Sequence, residues 1–392
     1  MGKARSSNLG GGVGVFLVVC CLGVVAEGKY GGGSGTPEDP YQIRDANHMQ
    51  AIGADSNDWD KHFKLMADVD LSGFTGEEFN IIGTATYYWY DPFEGPVYIF
   101  RPFTGTFRGS GYKIVNFSFT ATGFWDYSIG LFGVVDGNDA EVSDLALINP
   151  SIRGEGTGTR FGPLVGSLER GTVSRCYVDG GRVSAGYDVG GLVGANEGMI
   201  TGCHSSCSVA GHARLGGLVG RNYGIVSRSF ASGSIDATGY WAGGLVGASY
   251  AGSILNSYST SDVNGVNWRG GFVAENRGSI SNCYATGNVP PATGTMIGGF
   301  AGYNGITGTI SSCFWDVDAS GMSTSRSGEG KTTAEMKQRP TFTDWDFINV
   351  WDIGENQTYP YLRTVPAGDI NKDHVVNFLD LCIVAEQWMK EE

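Results

Sequence analysis

The chain has 392 residues, 64 of them glycine, and its 40 Asp and Glu against 26 Lys and Arg leave a net charge of −14. That balance gives no basic stripe to replace phosphate counterions, which excludes nucleic acid as a partner. With 41% hydrophobic and 12% aromatic residues there is apolar side chain for a long core, which excludes wholesale disorder, and the glycines lack the every-third period of collagen.

At the N-terminus, Lys3 and Arg5 precede an apolar run from Val13 to Val25, and Val24-Val25-Ala26 places small residues at the −3 and −1 positions of a cleavage site. Residues 1–26 therefore read as a secretory signal peptide. The run is shorter than the roughly 20 residues a bilayer span needs, so no transmembrane span is expected. Leu17-Val18-Val19-Cys20 only loosely matches a lipoprotein box, since Val directly before Cys is atypical. The expected location is secreted or at the cell surface.

Residues 27–129 read as an N-terminal cap and first coils. A flexible Gly31–Gly35 lead precedes a strand at Pro40-Tyr41-Gln42-Ile43 and a short helix from Asp45 to Ile52, with Asp45 as its N-cap. Phe63 to Leu71 alternates apolar and polar residues at the strand period of two. Ile81–Gly83, Phe103–Phe107 and Tyr112–Phe117 are further short strands bounded by glycine. Between them lies an aromatic insertion, Tyr87-Tyr88-Trp89-Tyr90 through Phe100. It is either a loop folded back on the coil or a platform for stacking carbohydrate.

Residues 130–320 carry the organising repeat, Gly-Gly-Leu-Val-Gly, at Gly190–Gly194, Gly216–Gly220 and Gly243–Gly247, with weaker copies elsewhere. The second glycines (Gly162, Gly191, Gly217, Gly244, Gly271, Gly299) step by 29, 26, 27, 27 and 28 residues, the signature of a stacked array. Other columns repeat with them. One is apolar (Val173, Ile200, Val226, Ile254, Ile280, Ile310) and one small (Cys176, Cys203, Ser229, Ser257, Cys283, Cys313). An aromatic column follows (Tyr177, His204, Phe230, Tyr258, Tyr284, Phe314), then Asn196, Asn222, Ser249, Asn276 and Asn304, with Leu168 out of pattern. Each unit holds roughly three short strands between Gly or Asn corners, one rung of a parallel β-helix, and rungs stack at about 4.8 Å. Aliphatic columns fill such a core and asparagines bond along the stack. Helical repeats would be penalised by glycine every few residues.

Cysteines one rung apart fall within disulfide range at Cα, but their parallel Cβ atoms lie slightly beyond it and Ser shares the column, so free stacked thiols are expected, with a disulfide the alternative in an exported chain. Cys207 stands outside the column and could pair with Cys203. His204 reads as one more packed ring.

No His-Glu-x-x-His, Gly-x-Ser-x-Gly or phosphate-cradling loop occurs. The array's acids (Asp179, Asp188, Glu197, Asp236, Asp262, Glu275) fall at differing offsets and read as solvated surface. Asp316 and Asp318, two apart beside Trp315, are the one weak catalytic or metal candidate pair.

The phrase Gly-Gly-Leu-Val-Gly-x-Asn followed by Ile-Ser-x-Cys-Tyr resembles the GLUG repeat of bacterial surface proteins, which include adhesins and IgA-protease-type chains. The resemblance covers about 130–314, and the lead-in from Gly35 to Ile43 looks like what precedes such arrays in exported proteins of planctomycete type. It implies a right-handed parallel β-helix with an extracellular binding or structural role. It does not imply the peptidase, whose zinc motif is absent.

Residues 321–365 carry Trp345, Phe347, Val350, Trp351 and Ile353, an aromatic group expected to cap the open end of the stack. In 366–392, Asp369, Asn371, Asp373, Asn377 and Asp380 place oxygens at calcium-loop positions 1, 3, 5, 9 and 12, and Val375 offers its carbonyl at 7. Leu381, Val384, Ala385 and Trp388 then mark one face of a helix. This segment resembles one half of a type I dockerin, which implies bound Ca²⁺ and a cohesin-like or cell-surface protein partner. It departs in having His374 where the sharp turn wants glycine, and in having a single copy.

The expectation is an all-β solenoid with a short C-terminal helical calcium segment, serving as an exported, non-enzymatic surface or extracellular binding and adhesion protein. Its ligand would be a polysaccharide or a host or neighbour surface. The alternatives are a polysaccharide-degrading enzyme (hydrolase or lyase) with the same tag, and a purely structural envelope protein.

Overall fold

The computed structural model describes residues 28–363 apart from 92–94, 124–127, 156–158 and 292–293, and gives the backbone alone for 86–91 and 95–99. The signal-peptide and calcium-loop expectations fall on residues outside this set.

The repeat builds a parallel β-solenoid with four walls per rung. In one rung the chain runs Val193–Asn196 on face 1, Met199–Thr201 on face 2, His204–Ser205 on face 3 and Ser208–Gly216 on face 4, and Val219–Asn222 then re-enters face 1. Faces 2 and 3 are each ten strands deep, face 1 seven, and all three are parallel ladders. The register keeps like over like: Val193 pairs with Val219, Val219 with Val246, Val246 with Val273 and Val273 with Ala301. Face 2 repeats this with Val173, Ile200, Val226, Ile254 and Ile280, all buried. An alternating strand that returns to the same corner every 26–29 residues must place its apolar members inward on every rung, so the aliphatic columns fuse into one core.

The fourth wall exceeds the three strands read from the sequence. Its inward residues on one strand are Val209, Ala213 and Leu215, set among Gly and Ala. Such small residues give a weak period-two signal; the backbone pairs in continuous register with Arg182–Gly190 on one side and through a bulge between Gly211 and Ala213 with Ser234–Gly243 on the other.

At the N-terminal end, helix Ala46–Ala54 lies where a cap is needed. The Asp45 carboxylate accepts from His48 N at 2.9 Å, satisfying an orphan amide of the first turn. Met49 and Ile52 are buried, and Trp59 Nε1 donates to Ile52 O at 2.8 Å, which ties the helix to the first coil. The stretch Phe63 to Leu71 turns a corner, giving His62–Leu65 to face 2 and Val69–Asp70 to face 3. The aromatic insertion is an antiparallel hairpin, Thr84–Asp91 with Gly95–Arg101.

At the other end, the aromatic group lies along the flank of face 3 and does not cross the open end. Phe342, Trp345, Phe347, Val350 and Trp351 pack on Tyr284 and Phe314 in a cluster separate from the main core. Tyr284 Oη donates to Pro360 O at 2.7 Å and Trp345 Nε1 to Ser312 O at 3.0 Å. The last rung is instead paired by the Ser- and Gly-rich segment after Ser320, where Gly299 N bonds Thr324 O at 3.0 Å and Arg326 N bonds Ala301 O at 3.2 Å. The reason is chemical: polar backbone can satisfy an exposed sheet edge, whereas indole rings need a flat apolar wall, and the aromatic column of face 3 supplies one.

Candidate functional site

The repeat phrase itself is architecture. A Cβ on the second glycine of the phrase would strike the carbonyl oxygen of the equivalent glycine one rung on: Gly191 into Gly217, Gly217 into Gly244, Gly244 into Gly271. Rungs approach too closely there for any side chain. The asparagine column is an amide ladder, with Asn196 Nδ2 donating to Asn222 Oδ1 at 2.7 Å and Asn276 Nδ2 to Asn304 Oδ1 at 2.8 Å. Ser249 stands between the two pairs, reached by Asn222 Nδ2 at 3.4 Å. Leu168 occupies the column one rung before Asn196, and Asn196 Oδ1 is correspondingly left buried without a partner.

The small column is a second ladder. Cys203 N donates to Ser229 Oγ at 3.1 Å and Ser229 N to Ser257 Oγ at 3.2 Å, while Ser229 Oγ returns a bond to Ser227 O at 2.7 Å. The described cysteines, Cys176, Cys203, Cys207, Cys283 and Cys313, are all free and buried, so Cys203 and Cys207 are not paired. Burial pushes the Cys207 thiol up to about 12, and such a thiol is inert at neutral pH. On face 3, Tyr177, His204, Phe230 and Tyr258 stack with ring centroids 4.7 Å apart and planes within 4°. His204 is one ring of this pile, its basicity lowered by burial.

Asp316 and Asp318 do not form a reactive pair. Asp316 Oδ1 accepts from Asp318 N and Ala319 N, both at 2.9 Å, as the cap of the turn Val317–Ser320. Its Oδ2 accepts from Tyr359 Oη at 2.6 Å and Thr333 Oγ1 at 2.7 Å. With its lone pairs spent, Asp316 is a clamp for the C-terminal segment, and Asp318 Oδ2 helps by accepting from Thr333 N at 2.9 Å. Among the described residues no group of three or more His, Cys, Asp or Glu could hold a metal ion.

The concentrated chemistry sits elsewhere, running from the corner between faces 4 and 1 across face 1 to its far end. Three residues before the second glycine of the five rungs from Gly191 on, the backbone turns left-handed, at Asp188, Arg214, Trp241, Trp268 and Met296, and in the rung before them Arg160 does so two residues before Gly162. This turn folds the chain's side chains back over face 1, whose outward positions are Ala195, Arg221, Ala248, Glu275 and Tyr303. The two columns interlock. Asp188, only 2% exposed, is ion-paired with Arg214 and lies 3.6 Å from Arg221 Nε. Glu275, equally buried, accepts from Arg277 Nε at 2.7 Å.

Tyr250 sits within electrostatic reach of Asp188, Arg214 and Glu275, its hydroxyl pushed up by burial first and then by the Glu275 charge. Burial works against the Arg214 charge, yet the hydrogen bond and charge of Asp188 outweigh it and raise Arg214. Aromatic rings frame the charges. Arg214 lies over Tyr187 at 5.8 Å, Arg221 over Tyr223 at 5.5 Å and Arg277 over Tyr250 at 6.0 Å. Further along, Trp241 meets Trp268 at 5.6 Å and Trp268 meets Tyr303 at 5.3 Å. Two donors here, Arg221 Nε and Trp241 Nε1, are buried with no hydrogen-bond partner.

Asp188 and Glu275 are thus not solvated surface acids, as their differing offsets suggested. Asp188 belongs to the column three before the second glycine and Glu275 to the column four after it, and the corner brings the two columns together. The signal that could have found them was the run of Asp188, Arg214, Trp241, Trp268 and Met296 at one constant offset, with Arg221, Glu275 and Tyr303 among the alanines of the other. A glycosidase needs one carboxyl held protonated beside a second; both acids here are ion-paired with arginine.

Comparison with known proteins agrees with the repeat. The GLUG motif matches residues 239–264 and 270–289, so these rungs are of GLUG type. The chain is 31% identical over 369 residues to halomucin of Haloquadratum walsbyi, an alignment covering 89% of this chain and 4% of halomucin. It is 30% identical over 485 aligned positions to a protein of Evansella cellulosilytica named as a Gly-rich membrane protein, covering 95% of this chain and 51% of that one. The chain therefore spans about half or less of the length of these relatives. A crystal structure from Bacteroides ovatus, named as an immunoglobulin A1 protease, matches with a TM-score of 0.55 at 22% identity, over 86% of this chain and 96% of the other, which establishes the shared solenoid fold alone. Among the described residues no helix is long and apolar enough to cross a membrane.

Proposed function

We propose that this chain is an exported surface or extracellular protein whose solenoid is a rigid, non-catalytic binding rod, making adhesive contact through the corner strip of Asp188, Arg214, Arg221, Trp241, Tyr250, Trp268 and Glu275. The observation that carries this reading is the strip itself. A repeat needs only small or polar residues on its outer face, yet here Arg214 and Arg221, joined by Arg277 on Glu275, two buried carboxylates and a run of aromatic rings converge on one edge. Aromatic and arginine anchors are the residues that dominate recognition surfaces. The GLUG-type rungs and the names of the two relatives support a surface setting, as does the signal-peptide pattern of residues 1–26.

In the same reading, Asp369, Asn371, Asp373, Val375, Asn377 and Asp380 hold one Ca²⁺ and order the C-terminal helix as an attachment tag for a cohesin-like or cell-surface protein. Calorimetry of the full chain with Ca²⁺, followed by a polysaccharide panel scored for binding and for new reducing ends, tests both halves. Heat with Ca²⁺ that vanishes in Asp373→Ala, and retention on a polymer without cleavage, are the expected results. Absence of calcium heat overturns the tag, and release of reducing ends overturns the non-catalytic reading.

A further inference from the structure

The corner strip has a sign and a shape that narrow its ligand. In a chain of net charge −14, it gathers Arg214, Arg221 and Arg277 against two carboxylates, Asp188 and Glu275. The carboxylates are 2% exposed, whereas Arg277 is 53% and Arg214 22% exposed at the side chain. On the rungs from Arg214 to Arg277 what the strip offers to solvent is therefore cationic, with Asp188 and Glu275 buried beneath and holding the guanidinium groups in place, while the exposed Glu197 stands one rung before Tyr223 in the same column. Trp241 Nε1 adds a donor that is desolvated and without a hydrogen bond, whereas Arg221 Nε stands 3.6 Å from the Asp188 carboxylate. A buried donor without a partner is costly, and a ligand that supplies an acceptor removes the cost.

The aromatic members give the second constraint. Tyr223 is 42% and Tyr240 46% exposed, and Tyr187, Tyr250, Trp241, Trp268 and Tyr303 are partly so. Rings on neighbouring rungs lie 5.3–5.6 Å apart, Tyr223 from Tyr250, Trp241 from Trp268 and Trp268 from Tyr303, presenting ring faces and edges to a repeating partner. Arginine forks match carboxylates in bidentate fashion.

Resting on the binding-rod reading above, we propose that this edge binds an acidic polysaccharide, one bearing carboxylates on its sugar rings. Sugar rings pack on the Tyr and Trp faces while their carboxylates bond the Arg214, Arg221 and Arg277 guanidinium groups. The polymer runs along the solenoid axis, so that successive rungs engage successive sugars. A flexible acidic peptide offers the charge without the flat rings, and a neutral glucan offers the rings without the charge.

The test titrates the full chain with polygalacturonate, and in parallel with neutral dextran and with polyglutamate, following tryptophan fluorescence and heat. Polygalacturonate is expected to bind and to weaken steeply with salt, with the other two at least tenfold weaker. Arg221→Met, which keeps the aliphatic stem, should weaken polygalacturonate binding tenfold or more. So should Arg277→Gln, read only on protein that keeps the circular dichroism and urea midpoint of the native chain, because Arg277 is the ion-pair partner of the buried Glu275. Arg175→Met, on an exposed pair with Asp144 at the corner between faces 2 and 3, should leave binding unchanged. Failure of polygalacturonate to bind overturns the proposal, as does equal binding of dextran or polyglutamate, or full retention by both Arg221→Met and Arg277→Gln. Strong dextran binding with none to polygalacturonate would leave the binding rod standing while removing this ligand class; no binding to any polymer on the wider panel removes both.

Discussion

Replacing Asn222 by Leu isolates the contribution of the amide ladder. Asn222 is fully buried and makes three side-chain contacts: its Oδ1 accepts from Asn196 Nδ2 at 2.7 Å, and its Nδ2 donates to Gly224 O at 3.2 Å and to Ser249 Oγ at 3.4 Å. The first two have good length and the third is long. Steric misfit is controlled within the chain, because Leu168 occupies the same column and pairs in register with Asn196. Each good neutral hydrogen bond contributes about 1 kcal/mol net, and a buried partner left unbonded costs about 1–3 kcal/mol. Asn196 Nδ2 keeps a second contact, to Ile225 O at 3.3 Å, which limits that penalty, and the added leucine buries apolar surface that returns about 1 kcal/mol. The expected net loss is about 2 kcal/mol. Urea unfolding followed by circular dichroism reads it, with hydrogen exchange of the adjoining rungs as a local check, since stacked repeats need not unfold in one step. A change below about 0.5 kcal/mol would mean that the ladder is ornamental and that packing alone sets this column.

Other outcomes follow from the same geometry. Gly217→Ala should destabilise by about 1–3 kcal/mol or more, because its Cβ meets the Gly244 carbonyl, and so should Gly247→Ala, whose Cβ would lie 2.6 Å from Arg214 C and Gly220 O, whereas Gly73→Ala, with open space around its Cβ, should be mild; parallel thermal melts decide. Burial lowers the basicity of His204 below the ordinary imidazole value of about 6.5, so its protonation favours the unfolded chain. Stability should accordingly be full above that pH and decline as pH falls through and below it, and His204→Phe should flatten this limb of a pH series of urea midpoints. Cys203→Ser should change stability by less than about 1 kcal/mol, since Ser229 and Ser257 fill the same column with the same bonds; retained urea midpoints would show it. The described thiols should resist a thiol reagent in the native chain and react without reductant once it is unfolded.

The fold was largely legible because a solenoid writes its register into the sequence. Columns such as Val173–Ile200–Val226 and Asn196–Asn222 needed only alignment on the glycines, and the structure stacks them as aligned. The fourth wall was obscured because Ala213 and Gly211 carry a strand with almost no hydrophobic contrast. The flank packing of Trp345 and Trp351 was obscured because composition identifies an aromatic cluster but does not say which apolar surface receives it. The corner strip was missed for a different reason. Asp188 and Glu275 were compared as acids, one residue type along the chain, while the site is made by two columns of mixed type brought face to face by a left-handed turn.

The central claim, that recognition occurs along the edge between faces 4 and 1, is tested most directly by hydrogen exchange of the full chain with and without polygalacturonate. The account predicts added protection confined to segments 186–197, 212–223, 240–250 and 268–277. Protection centred instead on the N-terminal cap or on the aromatic flank of face 3, or none at saturating polymer, would contradict it.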